Sequence, residues 1–252
     1  LEDGSIVYTI HDTGFGKRII KTSYCNDILW SNEASYHHSL ALDSNQNIWT
    51  INAEESFVLI NKNNGNIIKE IFLKDIIKKN RNLGLFNFHI NLPSNSIMNK
   101  DPFHINDVEP LNFSFGKFQK DDLLLSFRNS NLVFIVDDQN NIKWWKVGST
   151  IRQHDPDWHN GYITVFDNSM RNNTVISEND FMSRIVKINL KNSETEEIFN
   201  GRKNNAYTVI KGNHQILENE YILLTLSMQG RIIIVDKNSD IKFEFLNKYK
   251  NS

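Results

Sequence analysis

The sequence contains few cysteines and prolines, the residues that restrict the chain independently of its hydrophobic core. It contains one cysteine, Cys25, and four prolines among 252 residues. A single cysteine excludes an internal disulfide, and no apolar run approaches the roughly 18 residues of a membrane-spanning helix. The fold must therefore be held together by its own hydrophobic core.

An excess of charge of either sign is also lacking. Lysine and arginine number 28 against 30 aspartates and glutamates, which gives a formal net charge of −2. Nucleic-acid-binding domains usually carry a basic excess, so we expect no nucleic-acid partner. Hydrophobic residues make up 39% of the chain and charged residues 23%, a balance typical of a globular protein and too apolar for a disordered one.

Long helical periodicity is nearly absent, and the best helical candidate is the short segment Ile71–Asn82. Short apolar runs separated by asparagine and glycine instead predict many strands joined by turns. The chain begins with Leu1 in strand-like sequence, so we interpret it as an excerpt or a processed product, which leaves open whether a signal peptide or anchor preceded it.

An internal repeat organises these strands. Its unit is an apolar strand, a polar turn rich in asparagine and aspartate, and a second strand. Asparagine and aspartate tolerate the left-handed conformations of tight hairpins. A further strand pair precedes four of the copies, so each complete unit has four antiparallel strands. The hairpin copies are Arg18–Trp30, Phe57–Ile71, Leu132–Val147, Ile185–Phe199 and Arg231–Phe245.

The repeat predicts an all-β fold, a β-propeller of four-stranded antiparallel blades, five or six in number. A β-sandwich and a single large barrel are the alternatives, but neither predicts matching hairpins at this interval. Because a blade buries both faces, we expect inner strands such as Leu123–Phe127 and Arg231–Val235 to be buried throughout. We assign one domain, 1–252, with an incomplete first blade at about 1–36, further blades at about 37–73, 101–148, 149–201 and 205–248, and a helix-containing insert at about 74–100.

Histidines recur at one point of the repeat. His38, His104 and His154 each stand just before the first strand of a unit, and Asn213 and His214 occupy that point in the last unit. The first strands of propeller blades line the central channel in one direction, so these residues are predicted to form a ring at one channel mouth. An ancestral repeat that kept the histidine for structural reasons is the alternative. Three other histidines, His11, His89 and His159, fall outside this register and are predicted at the surface or in turns.

Two further residues extend the predicted ring. Arg128 ends the strand that follows His104, and a buried arginine is costly without an anion to pair with. Asn106 lies two residues past His104, on the same face of the strand. Histidines, an arginine and an amide together predict an anion-binding cluster that bears a nucleophile.

Several segments resemble successive blocks of the bacterial arylsulfotransferase family. They include YHHSLAL, DPFHIND, LLLSFRNSNLVFIVD, IKWWKVG, RQHDPDWHNGYITVFDNS and YTVIKGNHQILENEYILLTLSMQGRIIIVD. Together they cover most of the chain in the family's order. The patterns QHD…G.ITVFDN and HIND…SFR are specific, whereas the hairpin blocks are generic.

The resemblance implies a propeller enzyme that moves a sulfuryl group from a phenolic sulfate ester to another phenol. It implies no cofactor and no nucleotide sulfate donor, and a covalent sulfo-histidine on His154. His38, favoured over His37 by its register, is implied to act with His104, Asn106 and Arg128 on the sulfate oxygens and the phenolic proton. Asn213 and His214 are the nearest candidates for the remaining substrate-binding positions.

This chemistry is coherent on physical grounds. Sulfuryl transfer resembles phosphoryl transfer, whose loose transition state depends on positioning and charge stabilisation. Histidine titrates near neutrality and can both attack sulfur and move a phenolic proton. Asp155, next to His154, either orients an imidazole or caps a turn.

Two other functions compete with this one. The chain could be a non-catalytic propeller that binds a partner, or His38, His104 and His154 could hold zinc or copper. Arg128 argues against the metal, because a cation beside a metal ion is unfavourable, so we expect no metal. The resemblance suggests a bacterial periplasm or cell surface, with a small phenolic sulfate and a phenol as partners.

Overall fold

The computed structural model describes residues 1–12, 16–53, 55–86, 101–169 and 182–247, and His89 lies outside them. Within these residues the strands form five antiparallel sheets, each with its strands in chain order. The first sheet has three strands and each of the others has four. The predicted all-β propeller is thereby confirmed, and the number of blades, which the sequence left at five or six, is five.

Each blade is a meander of neighbouring hairpins. Blade one consists of β1 (Ile6–Asp12), β2 (Gly16–Thr22) and β3 (Ile28–Glu33). Blade two consists of β4 (Tyr36–Leu42), β5 (Ile48–Asn52), β6 (Ser56–Ile60) and β7 (Ile67–Phe72). Blade three consists of β8 (Ile105–Pro110), β9 (Leu123–Phe127), β10 (Leu132–Val136) and β11 (Ile142–Val147). Blade four consists of β12 (His154–His159), β13 (Tyr162–Asp167), β14 (Arg184–Asn189) and β15 (Thr195–Asn200). Blade five consists of β16 (Asn213–Ile216), β17 (Ile222–Leu226), β18 (Arg231–Val235) and β19 (Ile241–Leu246).

A short helix follows blade two, within the segment where the sequence predicted one. Helix α1 (Leu73–Lys79) buries Leu73 and Ile76, and a 3-10 turn at Arg81–Leu83 follows it. Asp75 in its first turn and Lys78 and Lys79 in its last turn complement the helix dipole. No helix among the described residues is long and apolar enough to cross a membrane.

The chain divides into two compact units. The first unit comprises residues 1–125 and 134–145, and the second comprises residues 126–133 and 146–252. In the first unit, Ile19 and Trp30 of blade one share a core cluster with Tyr36, Ile48 and Val58 of blade two. Of the predicted site residues, His38, His104 and Asn106 lie in the first unit, and Arg128, His154, Asn213 and His214 lie in the second.

Burial of the inner strands differs between blades. Strand β9 is buried at all five positions, as predicted for Leu123–Phe127. In β18 only Ile233 and Val235 are buried, so the same prediction for Arg231–Val235 is wrong. The reason is that Ile233 and Val235 pack in a core cluster with residues of blade four, whereas Ile232 and Ile234 point to the opposite face and stay partly exposed.

Aspartates hold several hairpin turns by accepting backbone hydrogen bonds. Asp137 Oδ1 accepts from the N–H groups of Gln139 at 3.0 Å and Asn141 at 2.8 Å. Asp43 and Asp236 bind the residues two and four positions further on in the same way. The left-handed residue is Asn140 in one of these turns but glutamine or serine in the others. Aspartate thus recurs here as an acceptor, and only some of the asparagines serve the left-handed role predicted for them.

Candidate active site

His154 opens β12, the first strand of blade four, and is buried. The preceding Gln153 has no exposed surface, and its Nε2 lies 3.1 Å from Ser126 Oγ and 3.2 Å from both Phe127 O and Leu132 O. A buried amide is tolerated only when its polar atoms are bonded, so these contacts fix where the chain enters β12. The position of His154 follows from that anchor.

A β-bulge follows His154 at once. His154 pairs with Phe166 and Pro156 pairs with Val165, so Asp155 has no partner on β13. Asp155 has a left-handed φ of 52°, which aspartate tolerates better than most residues. Bulges redirect side chains, and here the Asp155 carboxylate contacts β16 of blade five.

The imidazole of His154 is held by one amide side chain. His154 Nδ1 lies 2.6 Å from Oδ1 of Asn168, a residue with no exposed surface just after β13. Asn168 Nδ2 donates to Thr208 O at 2.8 Å and to Lys211 O at 2.6 Å. Asn168 is absent from the predicted site residues, although it is the last residue of ITVFDN (163–168), one of the segments that carry the family resemblance.

His214 is at the centre of a second buried network in the same unit. Its Nδ1 donates to Asp155 Oδ2 at 2.8 Å, and its backbone N–H donates to the same oxygen at 2.5 Å. Its Nε2 lies 2.7 Å from Thr164 Oγ1 and 3.6 Å from Asp157 Oδ2. The imidazole of His214 has no exposed surface. Both of its nitrogens are therefore engaged by protein atoms, an arrangement suited to holding blades four and five together.

This environment shifts the pKa values of two groups on β12, Asp157 and His159. Burial raises the pKa of Asp157 to about 7, against the charge of His214 and with the help of Asp155. Burial also lowers the pKa of His159 to about 4, and the charges of His214 and Lys187 add to the effect. His159 was expected at the surface or in a turn, but it ends β12, is half-buried and lies 2.9 Å from Thr164 Oγ1.

Asp155, Asp157 and His214 bring three ligand atoms within 4.8 Å of one another. Asp155 already accepts from Asn213 Nδ2 at 2.5 Å through Oδ1 and from two donors of His214 through Oδ2. A metal ion held by these three residues would compete with the hydrogen bonds that Asp155 accepts. The arrangement is satisfied as a hydrogen-bonded network, and it does not need an ion to balance it.

The first unit carries a histidine cluster, made of His37, His38, His104 and Asp101. His104 precedes β8, and its Nδ1 lies 2.5 Å from Asp101 Oδ2. The rings of His38 and His104 are 5.1 Å apart, and those of His37 and His38 are 4.8 Å apart. The hydrogen bond from His104 lowers the pKa of Asp101, against the effect of burial. The structure thus brings together His38 and His104, as the repeat predicted, and adds His37 and Asp101.

The backbone gives a reason to compare His37 with His38. His37 pairs with Ile51 and Leu40 pairs with Thr50, so His38 and Ser39 form a bulge in which His38 has a φ of 65°. In β12 the paired residue before the bulge is His154 and the left-handed residue is Asp155. By this criterion His37 corresponds to His154 and His38 to Asp155, whereas the register of the repeat favoured His38.

The remaining predicted residues have the following places. Asn106 is buried in β8 of the first unit. Arg128 is half-buried and begins a 3-10 turn, Arg128–Ser130, directly after β9. Asn213 is exposed at the start of β16, where its amide donates to Asp155. The convergence of His38, His104 and Arg128 with His154 in one pocket stays a prediction.

A comparison with protein families gives one match that spans the chain. A family profile described as Arylsulfotransferase (ASST) matches residues 1–248. No curated protein sequence matches the chain.

Solved structures support the fold. A protein of unknown function from Bacteroides caccae aligns with a TM-score of 0.54 at 10% identity, over 95% of this chain and 72% of that one. The Dos1 propeller aligns with a TM-score of 0.51 at 10% identity, over 94% of this chain and 56% of that one. Virginiamycin B lyase from Staphylococcus aureus aligns with a TM-score of 0.51 at 13% identity, over 100% of this chain and 69% of that one. At such identities the likeness concerns the propeller fold alone.

Proposed function

The chain belongs to the arylsulfotransferase family, and on that premise we propose that it transfers a sulfuryl group between phenolic sulfate esters and phenols through a sulfo-histidine. His154 is the nucleophile. His38, His104, Asn106 and Arg128 bind the sulfuryl oxygens and handle the phenolic proton. The reaction uses no nucleotide sulfate donor.

The proposed reaction has two balanced halves. A nitrogen of His154 attacks sulfur, the S–O bond to the donor phenol breaks, and the electron pair leaves on the phenolate oxygen, which takes up a proton. An acceptor phenol then attacks sulfur and loses its proton, the N–S bond breaks, and the electron pair returns to the imidazole. Positive groups such as Arg128 stabilise the charge spread over the sulfuryl oxygens.

The observation that carries this proposal is the setting of His154. Its ring is buried at the start of the first strand of blade four and is anchored through Nδ1 by a fully buried amide, and the bulge that follows is itself hydrogen-bonded. A nucleophile gains rate when it is held in one orientation before substrate arrives. This support is local, and it accompanies the family match over nearly the whole chain.

Asn213 and His214 have a different part in the proposal from the one the sequence suggested. The buried ring of His214 makes its contacts with Asp155 and Thr164, so we assign it to positioning. The side-chain amide of Asn213 donates to the carboxylate of Asp155 as well. The natural partners are small phenolic sulfates and phenols, and we propose the periplasm or cell surface as the compartment, as is typical of the family.

The test is a transfer assay with 4-nitrophenyl sulfate and excess phenol. We expect nitrophenolate release that survives chelator and a sulfuryl mass increment on the peptide that contains His154. His154→Ala removes both signals, whereas His159→Ala, a matched histidine at the other end of β12, keeps the labelled peptide. Release that persists in His154→Ala would overturn the assignment of the nucleophile. Loss of activity on chelation would favour a metal site. A folded protein that releases no nitrophenolate would favour a binding module.

A further inference from the structure

We propose that Asn168 is a positioning residue that holds His154 as the Nδ1–H tautomer, so that the sulfuryl group is carried on Nε2. The assignment of the tautomer stands on hydrogen-bond geometry alone. The assignment of the sulfated nitrogen rests on the proposed function.

The orientation of the Asn168 amide follows from its acceptors. Its nitrogen faces two carbonyl oxygens, Thr208 O at 2.8 Å and Lys211 O at 2.6 Å, and each needs a donor. Rotating the amide by half a turn would set Oδ1 against both carbonyl oxygens, with no proton between them. The nitrogen therefore faces the segment that precedes blade five, and Oδ1 faces His154.

The tautomer of His154 is then decided. An amide oxygen only accepts, so the His154 nitrogen that lies 2.6 Å from it must carry the proton. In a neutral imidazole with a proton on Nδ1, the lone pair is on Nε2. Attack on sulfur needs that lone pair, which makes Nε2 the nucleophilic atom.

The segment Thr208–Gly212 keeps the two carbonyl acceptors in place. Thr208 N–H donates to Ser183 Oγ at 3.0 Å, and Thr208 Oγ1 donates to Ile210 O at 2.7 Å. Gly212 has a φ of 105°, and a Cβ there would lie 2.6 Å from the ring of Phe166, the residue paired with His154. Only glycine fits this close approach, so the turn is built around the strand pair that carries the nucleophile.

The same hydrogen bond assists the chemical step. When Nε2 attacks sulfur and the S–O bond breaks, the ring becomes a sulfo-imidazolium that keeps its Nδ1 proton. The bond from Nδ1–H to Asn168 Oδ1 then becomes charge-assisted and strengthens as positive charge develops. No proton has to leave the ring, and the bond weakens again when the electron pair returns to Nε2.

The chain contains a matched control for Asn168. Asn80 is also a buried asparagine whose Nδ2 donates to two carbonyl oxygens, Ile76 O at 2.8 Å and Asn140 O at 2.7 Å. Its Oδ1 accepts from the backbone N–H of Ile142 at 3.0 Å, where Asn168 accepts from an imidazole. Asn80→Ala and Asn168→Ala therefore remove equivalent hydrogen bonds, and only the second touches His154.

The direct test is nitrogen-15 NMR of the histidine-labelled protein, with His154 assigned by the signal lost in His154→Gln. We expect the Nδ1–H tautomer in the wild type and in Asn80→Ala, and a mixture of tautomers in Asn168→Ala. An Nε2–H tautomer in the wild-type protein would overturn the proposal, and this outcome depends neither on activity nor on the folding of Asn168→Ala.

Kinetics then separate this proposal from the proposed function. If the wild type forms sulfo-enzyme, Asn168→Ala should lower kcat on the order of 10²-fold with little change in KM, because a wrong tautomer blocks the chemical step. Asn80→Ala should leave kcat unchanged. Equal kcat values in folded Asn168→Ala and in the wild type would contradict the positioning role. An Nδ1–H tautomer in an enzyme that never becomes sulfated would contradict the proposed function and leave the tautomer assignment standing.

Discussion

The two units each contain a histidine–aspartate pair of the same local design, in very different surroundings. In the first unit His104 binds Asp101 through both its backbone N–H and Nδ1, and in the second His214 binds Asp155 through the same two groups. The side chains of the first pair are 29% and 48% exposed, whereas those of the second are 0% and 16% exposed. The first pair spans three residues of sequence and the second spans 59.

The same kind of contact forms within one turn of the chain in the first unit and between two blades in the second. Asp101 and His104 meet because the chain turns before β8, and a half-exposed pair of this kind contributes little to stability. Asp155 and His214 meet only because blade four packs beside blade five. The more exposed pair belongs to the cluster that contains His37 and His38, and the buried pair is suited to holding the strand that begins with His154.

The strongest effect is expected on the rate of sulfuryl transfer, in variants of one histidine from each unit, His154 and His104. His154→Gln should lower the rate of sulfuryl transfer by roughly 10⁴-fold or more, because it removes the nucleophile. His104→Gln should lower it by roughly 10² to 10⁴-fold, because it removes a proton-transfer group while the nucleophile remains. Initial rates with 4-nitrophenyl sulfate measure both variants. A larger loss in His104→Gln than in His154→Gln would reverse the assigned roles.

The next comparison lies within the first unit. The ring of His38 contacts that of His104, so we expect His38→Ala to lower the rate of transfer more than His37→Ala does, on the order of 10²-fold. Parallel assays under one set of conditions, with thermal unfolding as the control for folding, measure the difference. A greater loss in His37→Ala would instead support the alignment given by the two bulges.

The buried and exposed pairs should also differ in stability. Asp155→Asn keeps a residue that tolerates the left-handed φ but removes the charge that accepts from His214, and we expect it to lower the free energy of unfolding by about 1–3 kcal/mol. Asp101→Asn should lower it by less than about 1 kcal/mol, since that pair is more exposed. Urea unfolding of the two variants beside the wild type makes the comparison. Equal losses would show that burial does not distinguish the pairs.

Two groups on β12, Asp157 and His159, should give the free energy of unfolding opposite slopes against pH. The folded protein holds the Asp157 proton up to a pKa of about 7, whereas the unfolded chain loses it near 3.8, so this group favours folding at low pH and the benefit is lost as the pH rises towards 7. His159 has a pKa lowered from 6.5 to about 4, so between these values the unfolded chain binds more protons and stability rises with pH.

Two variants on β12 isolate these slopes. Relative to the wild type, Asp157→Asn should gain stability between pH 4 and 7, and His159→Gln should lose stability over the same range, as measured by urea unfolding at each pH. Parallel curves for the wild type and Asp157→Asn would show that the carboxyl titrates normally in the fold.

Much of the fold was predictable because its signals are local. Hairpins recur as apolar runs separated by turns, and aspartates such as Asp137 accept bonds from backbone groups two and four residues away. The burial of β18 was not predictable in the same way. Arg231–Val235 reads as apolar almost throughout, and only the packing of blade five decides that Ile233 is buried while Ile232 is partly exposed.

In the site, too, some residues could be predicted from local sequence and others only from the packing of distant segments. The repeat pointed to His38, His104 and His154 because each begins a unit, whereas Asn168 carries no such mark and becomes important through two carbonyl groups some forty residues away. His214 looked equivalent to the other histidines in sequence, yet its ring is enclosed and engaged at both nitrogens.

Local sequence patterns were enough to predict the repeated antiparallel blades, the arylsulfotransferase resemblance and the recurrence of histidines near the first strand of each repeat. Tertiary structure alone decided which of those histidines are enclosed, which carboxylates have shifted pKa values, and which amide orients His154. The physical reason is that strand and turn patterns arise from neighbouring residues, whereas burial and hydrogen-bond partners depend on segments that meet only when one blade packs on the next.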